Sequence, residues 1–347
     1  MKYLKSLMTL FLIFFVLCSC KKPGVDGATK TPPSNLTLTA VVSTDSSGKV
    51  NFTAAADNSV SYTYQFGNGA TKTAPSGIIS YQYTARGNNT YTVTVTATSS
   101  SSLTITKSIE VTVTGPAPVL FWSEEFNTDG APDPAKWGYD LGTGGNGWGN
   151  AELEYYTNRP ENTVVQGGVL KINALKENFS GSAYTSARLL SKDKFAFTYG
   201  KVEIRAKLPA GVGTWPALWM LGSDISTAGW PACGEIDIME HLGRTLNTIY
   251  GTLHYPGRSG GNADGHTTVI ADATTAFHIY ALEWTASYIK IYVDGMLFHT
   301  TINSGSIPFN HDFFFILNVA MGGGFGGNVD AAFTNATMEV DYIRVYK

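Results

Sequence analysis

Gly234-Glu235-Ile236-Asp237-Ile238-Met239-Glu240 sets three carboxylates within six residues, separated by apolar side chains that favour burial. On a regular strand Glu235 and Asp237 share a face and Glu240 points away from them. One extra residue in a β-bulge near Ile238-Met239 returns Glu240 to their side. Four strand rises of about 3.3 Å then separate the two glutamate backbones by roughly 13 Å, and side chains reaching inward about 4 Å each leave about 5 Å between carboxyls. That is the gap of a retaining glycosidase, in which one carboxylic acid protonates the leaving oxygen and one carboxylate attacks the anomeric carbon. On a helix the same offset would turn the glutamates about 140° apart and scatter Ile236, Ile238 and Met239 over three directions, so the strand reading is preferred. The working assignment is Glu235 as nucleophile, Glu240 as general acid/base and Asp237 between them. Three neighbouring negative charges are costly, so a proton is shared within the group, which keeps Glu240 ready to donate. The competing reading, acids that cap or salt-bridge on a surface strand, fits poorly with isoleucines that bury the other face.

Such acids need a scaffold, and the composition points to strands. The 347 residues are 12% aromatic and 15% charged, Gly, Ser and Thr are heavily used, and helical periodicity is hard to find, so the fold class expected is all-β. Net charge is −3: residues 119–347 hold 23 acids against 15 bases, and residues 1–118 hold 4 against 9. An acidic larger half argues against nucleic acid and strongly anionic polymers as partners.

Lys2 and Lys5 precede an apolar run over 7–17 and then Cys18-Ser19-Cys20. The run is too short to span a bilayer, and residues 1–19 read as an export signal. Leu17-Cys18-Ser19-Cys20 resembles a bacterial lipobox with Cys20 as the acylated residue; ordinary cleavage leaving Cys20 free is the alternative. The protein is then exported and held to the membrane of the cell envelope by a lipid anchor, the outer membrane being expected and its face left open. With Cys20 lipidated, Cys233 is the one free thiol and no disulfide is available.

Residues 20–35, with Pro23, Gly24, Pro32 and Pro33, suit a flexible tether. Residues 36–114 alternate strictly, as in Tyr91-Thr92-Val93-Thr94-Val95-Thr96, and read as a small Ig-like sandwich. Tyr62-Thr63-Tyr64-Gln65-Phe66-Gly67-Asn68-Gly69 resembles a PKD-type domain, although acidic residues are usual where Gln65 and Asn68 stand; a spacer or an auxiliary glycan binder is implied. Residues 115–118 form a stiff hinge, and 119–347 suit one large sandwich with strands at 168–175, 200–207, 217–221, 235–241, 248–254, 278–284, 288–293, 313–320 and 338–346. Gly142-x-Gly144-x-x-Gly147 and Gly322-x-Gly324-x-x-Gly327 share the dinucleotide-binding spelling, but no βαβ unit surrounds them, and loops at a cleft rim are the better account.

Trp215-Pro216-Ala217-Leu218-Trp219-Met220, Trp230-Pro231-Ala232-Cys233-Gly234-Glu235 through Glu240, and Gly251-Thr252-Leu253-His254 together resemble glycoside hydrolase family 16, most of all its bacterial laminarinases. Asn150-Ala151-Glu152-Leu153-Glu154-Tyr155-Tyr156-Thr157, Ser186-Ala187-Arg188-Leu189 and Val340-Asp341-Tyr342-Ile343-Arg344-Val345-Tyr346 fit as well. The resemblance implies a jelly-roll sandwich with a concave cleft, an endo-acting β-1,3-glucanase that retains configuration, and the roles assigned above to Glu235, Asp237 and Glu240. Flat aromatics bind the apolar faces of sugars, so Trp215, Trp219 and Trp230 are the first subsite candidates, and Trp148 is a further one; Trp122, Trp137 and Trp284 are left to the core. Arg188 and Asn150 are candidate hydroxyl contacts, and His254 a polar contact beside the acid/base. No cofactor is expected for catalysis. The family resemblance implies a structural calcium at Glu125, the carbonyl of Gly168 and Asp341, or an empty loop there. The remaining histidines show no metal-ligand spacing, so zinc is not expected. The partner expected is a β-glucan, the chain acting as a monomer. A neutral galactan such as agarose, cut on the same fold, and a non-catalytic glycan-binding lipoprotein are the alternatives.

Overall fold

The computed structural model describes residues 30–347. The expected export signal, Cys20 and most of the expected tether lie outside the described residues. Contacts divide the chain at Ala117/Pro118.

Among the described residues, the first unit has a three-stranded sheet (Ser34–Val42, Lys49–Asp57, Ile78–Gln82) and a four-stranded sheet (Thr71–Ala74, Ser61–Gln65, Asn88–Thr98, Thr104–Thr114). Alternation sends Val50, Phe52, Tyr64, Phe66, Val93 and Val95 into one core. The buried Tyr64 hydroxyl donates to the Gly77 carbonyl at 2.6 Å, so its polar end is satisfied.

The second unit is a two-layer sandwich. The strands that carry the site are β1 (Gly138–Asp140), β2 (Arg188–Leu190), β3 (Thr214–Gly222), β4 (Glu235–His241), β5 (Thr248–His254), β6 (Asp264–Val269) and β7 (Phe313–Met321). They form a seven-stranded sheet in the order β6-β5-β4-β3-β7-β2-β1. A ten-stranded sheet covers its inner face, with Asn335–Tyr346 between Leu170–Phe179 and Gly200–Lys207 and with Met296–Ile302 at one end. Leu218, Met220, Ile236, Ile238 and Met239 from the first sheet meet Val202, Ile204, Leu282, Ile291 and Ile343 from the second in one core. Each such side chain stabilises the sandwich by about 1.5–3 kcal/mol through burial alone. Trp137 and Trp284 are buried in this core, while Trp122 is half-buried and stacks on Phe195 at 4.3 Å.

The bulge read from the spacing is present. Against β3, Met239 pairs with Leu218 and Asp237 with the next residue, Trp219, leaving Ile238 unmatched. Against β5, the register shifts between Asp237–Thr252 and Glu240–Tyr250, so Ile238 and Met239 together face Gly251. The strand begins directly after Gly234, whose φ is +74°; a Cβ there would lie 2.9 Å from the Phe313 ring and 3.0 Å from the Pro308 carbonyl, so only glycine fits.

The calcium site is not formed as the sequence reading had it. Both carboxylate oxygens of Glu125 accept from Arg344, at 3.0 and 2.8 Å, and this guanidinium holds Glu125 below the usual carboxylate range. Asp341 pairs with Arg205, and Gly168 sits at a left-handed turn just before the strand Leu170–Phe179. With its two carboxylates committed to arginines, this trio does not present the oxygen set that a hard cation requires.

Candidate active site

Glu235 stands opposite Leu221 and Glu240 opposite Ala217 on β3. Those partners are four residues apart on an unbroken strand, an even number, so the two glutamates share the outer face with Asp237. That face continues across the sheet as Trp215, Ala217, Trp219 and Leu221 on β3, Thr252 and His254 on β5, and Asn318 on β7. Ile236, Ile238 and Met239 are fully buried on the inner side.

Each acid has its own partners. Trp230 Nε1–H donates to Glu235 Oε2 at 2.9 Å, and Trp215 Nε1–H to Glu240 Oε1 at 3.0 Å. The Thr252 hydroxyl lies 3.0 Å from Glu240 Oε2; a hydroxyl rotor donates to a carboxylate or accepts from the acid form. His254 Nε2 is 3.3 Å from Asp237 Oδ2 and 3.8 Å from Glu235 Oε1. The Gly260 backbone N–H donates to His254 Nδ1 at 3.1 Å, which assigns the ring proton to Nε2, facing the acids. His254 therefore attends the proposed nucleophile and Asp237, not the acid/base as the sequence reading had it; Thr252 and Trp215 flank Glu240 instead.

Burial dominates the electrostatics. Glu235 is pushed up to about 8, chiefly by desolvation and then by the Asp237 charge. Asp237, 3% exposed, is raised well above the carboxylate range by burial and by Glu240. Burial also raises Glu240, while Thr252 and Trp215 pull it back. The cluster thus holds protons at neutral pH and titrates as a unit. The Trp230 N–H at Oε2 offsets part of the burial penalty on Glu235, and Asp237, between the two glutamates, shares the protons the cluster holds.

The aromatic candidates have distinct duties. Trp230 is 48% exposed and offers its ring beside Glu235. Trp215 meets Phe325 edge-on at 5.4 Å, which brings the Gly322–Gly327 loop to the site. Arg188 lies between Trp148 and Trp219, 4.7 and 4.9 Å from their ring centroids, with its Nε 3.0 Å from Asp140 Oδ2. As placed, Arg188 holds two aromatic platforms. Trp219 Nε1–H donates to Asn318, Asn318 to the Tyr156 hydroxyl, and that hydroxyl to Glu152. Asn150 also donates to Glu152, at 3.1 Å, so its amide braces the neighbouring loop. Asn318, Thr252, Glu152 and Phe325 were not singled out from sequence. Thr252 and Glu152 sat inside quoted motifs, and Asn318 and Phe325 carry no local signal.

A shared outer face with two glutamates, each held by a tryptophan N–H and edged by aromatic rings, defines a carbohydrate-cleaving site on a jelly-roll sandwich. The family profile described as Glycosyl hydrolases family 16 matches residues 150–344, which include every residue of the acid cluster. A second, described as Beta-glucan synthesis-associated protein SKN1/KRE6/Sbg1, matches 59–237; it crosses from the first unit into the second and stops short of Glu240. A Beta-glucanase of Rhodothermus marinus is 46% identical over 245 residues, covering 66% of this chain and 85% of that protein. Glucan endo-1,3-beta-glucosidase A1 of Niallia circulans is 40% identical over 259 residues, covering 66% of this chain and 38% of that protein. The solved laminarinase catalytic domain of Thermotoga maritima shares 47% identity, with a TM-score of 0.63 over 66% of this chain and 98% of that one. The chain belongs to glycosyl hydrolase family 16 and is a glycosidase.

Proposed function

We propose that the protein is an endo-acting, retaining β-1,3-glucanase of laminarin type, with mixed-linkage β-glucan as a second substrate. The observation that carries the reading is the bulge that turns Glu240 to the face of Glu235. Glu235 attacks the anomeric carbon as Glu240 gives its proton to the departing glycosidic oxygen, forming a glycosyl ester. Glu240, now a carboxylate, takes a proton from the water that cleaves this ester and frees Glu235. Two inversions give net retention. The Niallia circulans relative, named as a glucan endo-1,3-beta-glucosidase, supports the linkage, and the Thermotoga maritima laminarinase the laminarin-type substrate. Incubating the protein with laminarin, mixed-linkage glucan and agarose, with chromatography of the products, tests it: oligosaccharides of several lengths from laminarin are expected, and products from agarose alone would sink the proposal.

The Trp230 contact makes a further test. Trp230→Phe keeps a ring at the cleft but removes the N–H donor to Glu235. The loss of one hydrogen bond to a reacting charge is worth roughly 1.5–3 kcal/mol, so kcat/KM on laminarin should fall on the order of 10- to 100-fold. An unchanged kcat/KM would show that the donor is idle.

The lipid anchor at Cys20 rests on the sequence, and we propose it on that footing. Labelled palmitate should enter the parent and be absent from Cys20→Ala; equal labelling of both would place the anchor elsewhere.

A further inference from the structure

The edge strand of the cleft sheet, β6, lies beside the edge of the opposite sheet, Met296–Ile302. Asp264 and His266, two residues apart on β6, meet His299 from that second strand, and one ligand atom from each lies within 4.8 Å of the others. His299 Nε2 is 3.7 Å from Asp264 Oδ1, and the two imidazole rings are 4.7 Å apart between centroids.

His299 is 2% exposed, and its Nδ1 lies 3.1 Å from the Gly251 carbonyl oxygen. A carbonyl only accepts, so Nδ1 carries the proton and Nε2 presents a lone pair. Thr301 Oγ1 stands 3.1 Å from that nitrogen and 2.7 Å from Asp264 Oδ2. Its single proton goes to the nearer, charged carboxylate. The buried Nε2 is then an acceptor with no donor, aimed into the cluster. A ring fixed through its other nitrogen by a backbone carbonyl, beside a carboxylate steadied by a hydroxyl, is the support that metal-binding histidines receive.

We propose that Asp264 Oδ1, His266 and His299 Nε2 bind a divalent transition metal of the zinc type, with water completing the coordination. Two imidazoles and one carboxylate suit zinc, cobalt, nickel or copper and not calcium, which takes oxygen ligands. The site joins the edges of the two sheets, so the bound metal staples the sandwich. It is separate from the Glu235–Asp237–His254 group in the cleft. Arg258 Nη2, 3.2 Å from Asp264 Oδ1, competes with the metal, and its half-exposed side chain has solvent to swing into. Spacing along the chain does not show this cluster, because its members come from two strands of different sheets.

The test uses the whole chain, stripped with a chelator and titrated with Co²⁺ and then Zn²⁺. The parent should give the visible absorption of four-coordinate Co²⁺, lost on adding Zn²⁺, and Zn²⁺ should raise its unfolding temperature. His266→Ala, at an exposed position, should weaken Zn²⁺ binding at least 10-fold with unchanged circular dichroism. Arg258→Ala should tighten it several-fold, and Glu235→Gln should leave it unchanged. No Co²⁺ band in the parent, equal affinity in His266→Ala, or loss of binding in Glu235→Gln would each overturn the proposal.

Discussion

Glu235→Gln should lower kcat on laminarin by on the order of 10⁴-fold or more, because the isosteric amide keeps the Trp230 contact but cannot form the glycosyl ester. The same change should stabilise the protein in a pH-dependent way. The folded-state value of Glu235, about 8, lies above its ordinary 4.5, so the folded chain binds this proton more tightly than the unfolded one. The stability this contributes is fully present below pH about 4.5 and is lost as pH rises through about 8. Glutamine has no such dependence. The variant should match the parent near pH 4 and gain on it up to about pH 8, by on the order of 3–5 kcal/mol, or roughly 10 °C in melting temperature for a unit of this size. Melting curves over this range check it; a parent-minus-variant difference flat with pH would show that Glu235 is not held protonated by burial.

Glu240→Gln should behave differently, and the contrast separates the two roles. On laminarin, loss of the proton donor should cost on the order of 10²–10⁴-fold in kcat. On a dinitrophenyl β-glucoside oligomer the leaving group departs as an anion without a proton, so the first step survives while water attack on the ester lacks its base. A burst of one phenolate per active site followed by slow turnover is expected from Glu240→Gln and no burst from Glu235→Gln. Added azide, a nucleophile that needs no base, should speed the slow phase and yield a β-glycosyl azide. A burst from the Glu235 variant would exchange the two assignments.

Much of this was legible in the chain because its strands are strongly patterned. The strands Gly200–Lys207, Glu235–His241, Thr248–His254, His278–Trp284 and Tyr288–Val293 fall where alternation placed them. The bulge followed from an odd offset between acids that needed one face. Strands of three residues such as Gly138–Asp140 and Arg188–Leu190 are too short to show a period, and so went unread. Asn318 lies within Phe313–Met321, a strand buried along its whole length, where no alternation marks the face it serves. His254 was read beside Glu240, but its place is fixed by cross-strand register, which pairs it with Glu235. For the calcium trio, whether a carboxylate meets a cation or an arginine depends on contacts between residues as distant as Glu125 and Arg344, which no local motif shows.

The central claim is that Glu235 and Glu240 act from one face on one anomeric carbon in two inverting steps. Proton NMR of the reducing ends released in the first minutes of laminarin hydrolysis tests it most directly. The account predicts that the β-anomer appears first and the α-anomer grows in only at the rate of mutarotation; an α-anomer formed first would contradict it.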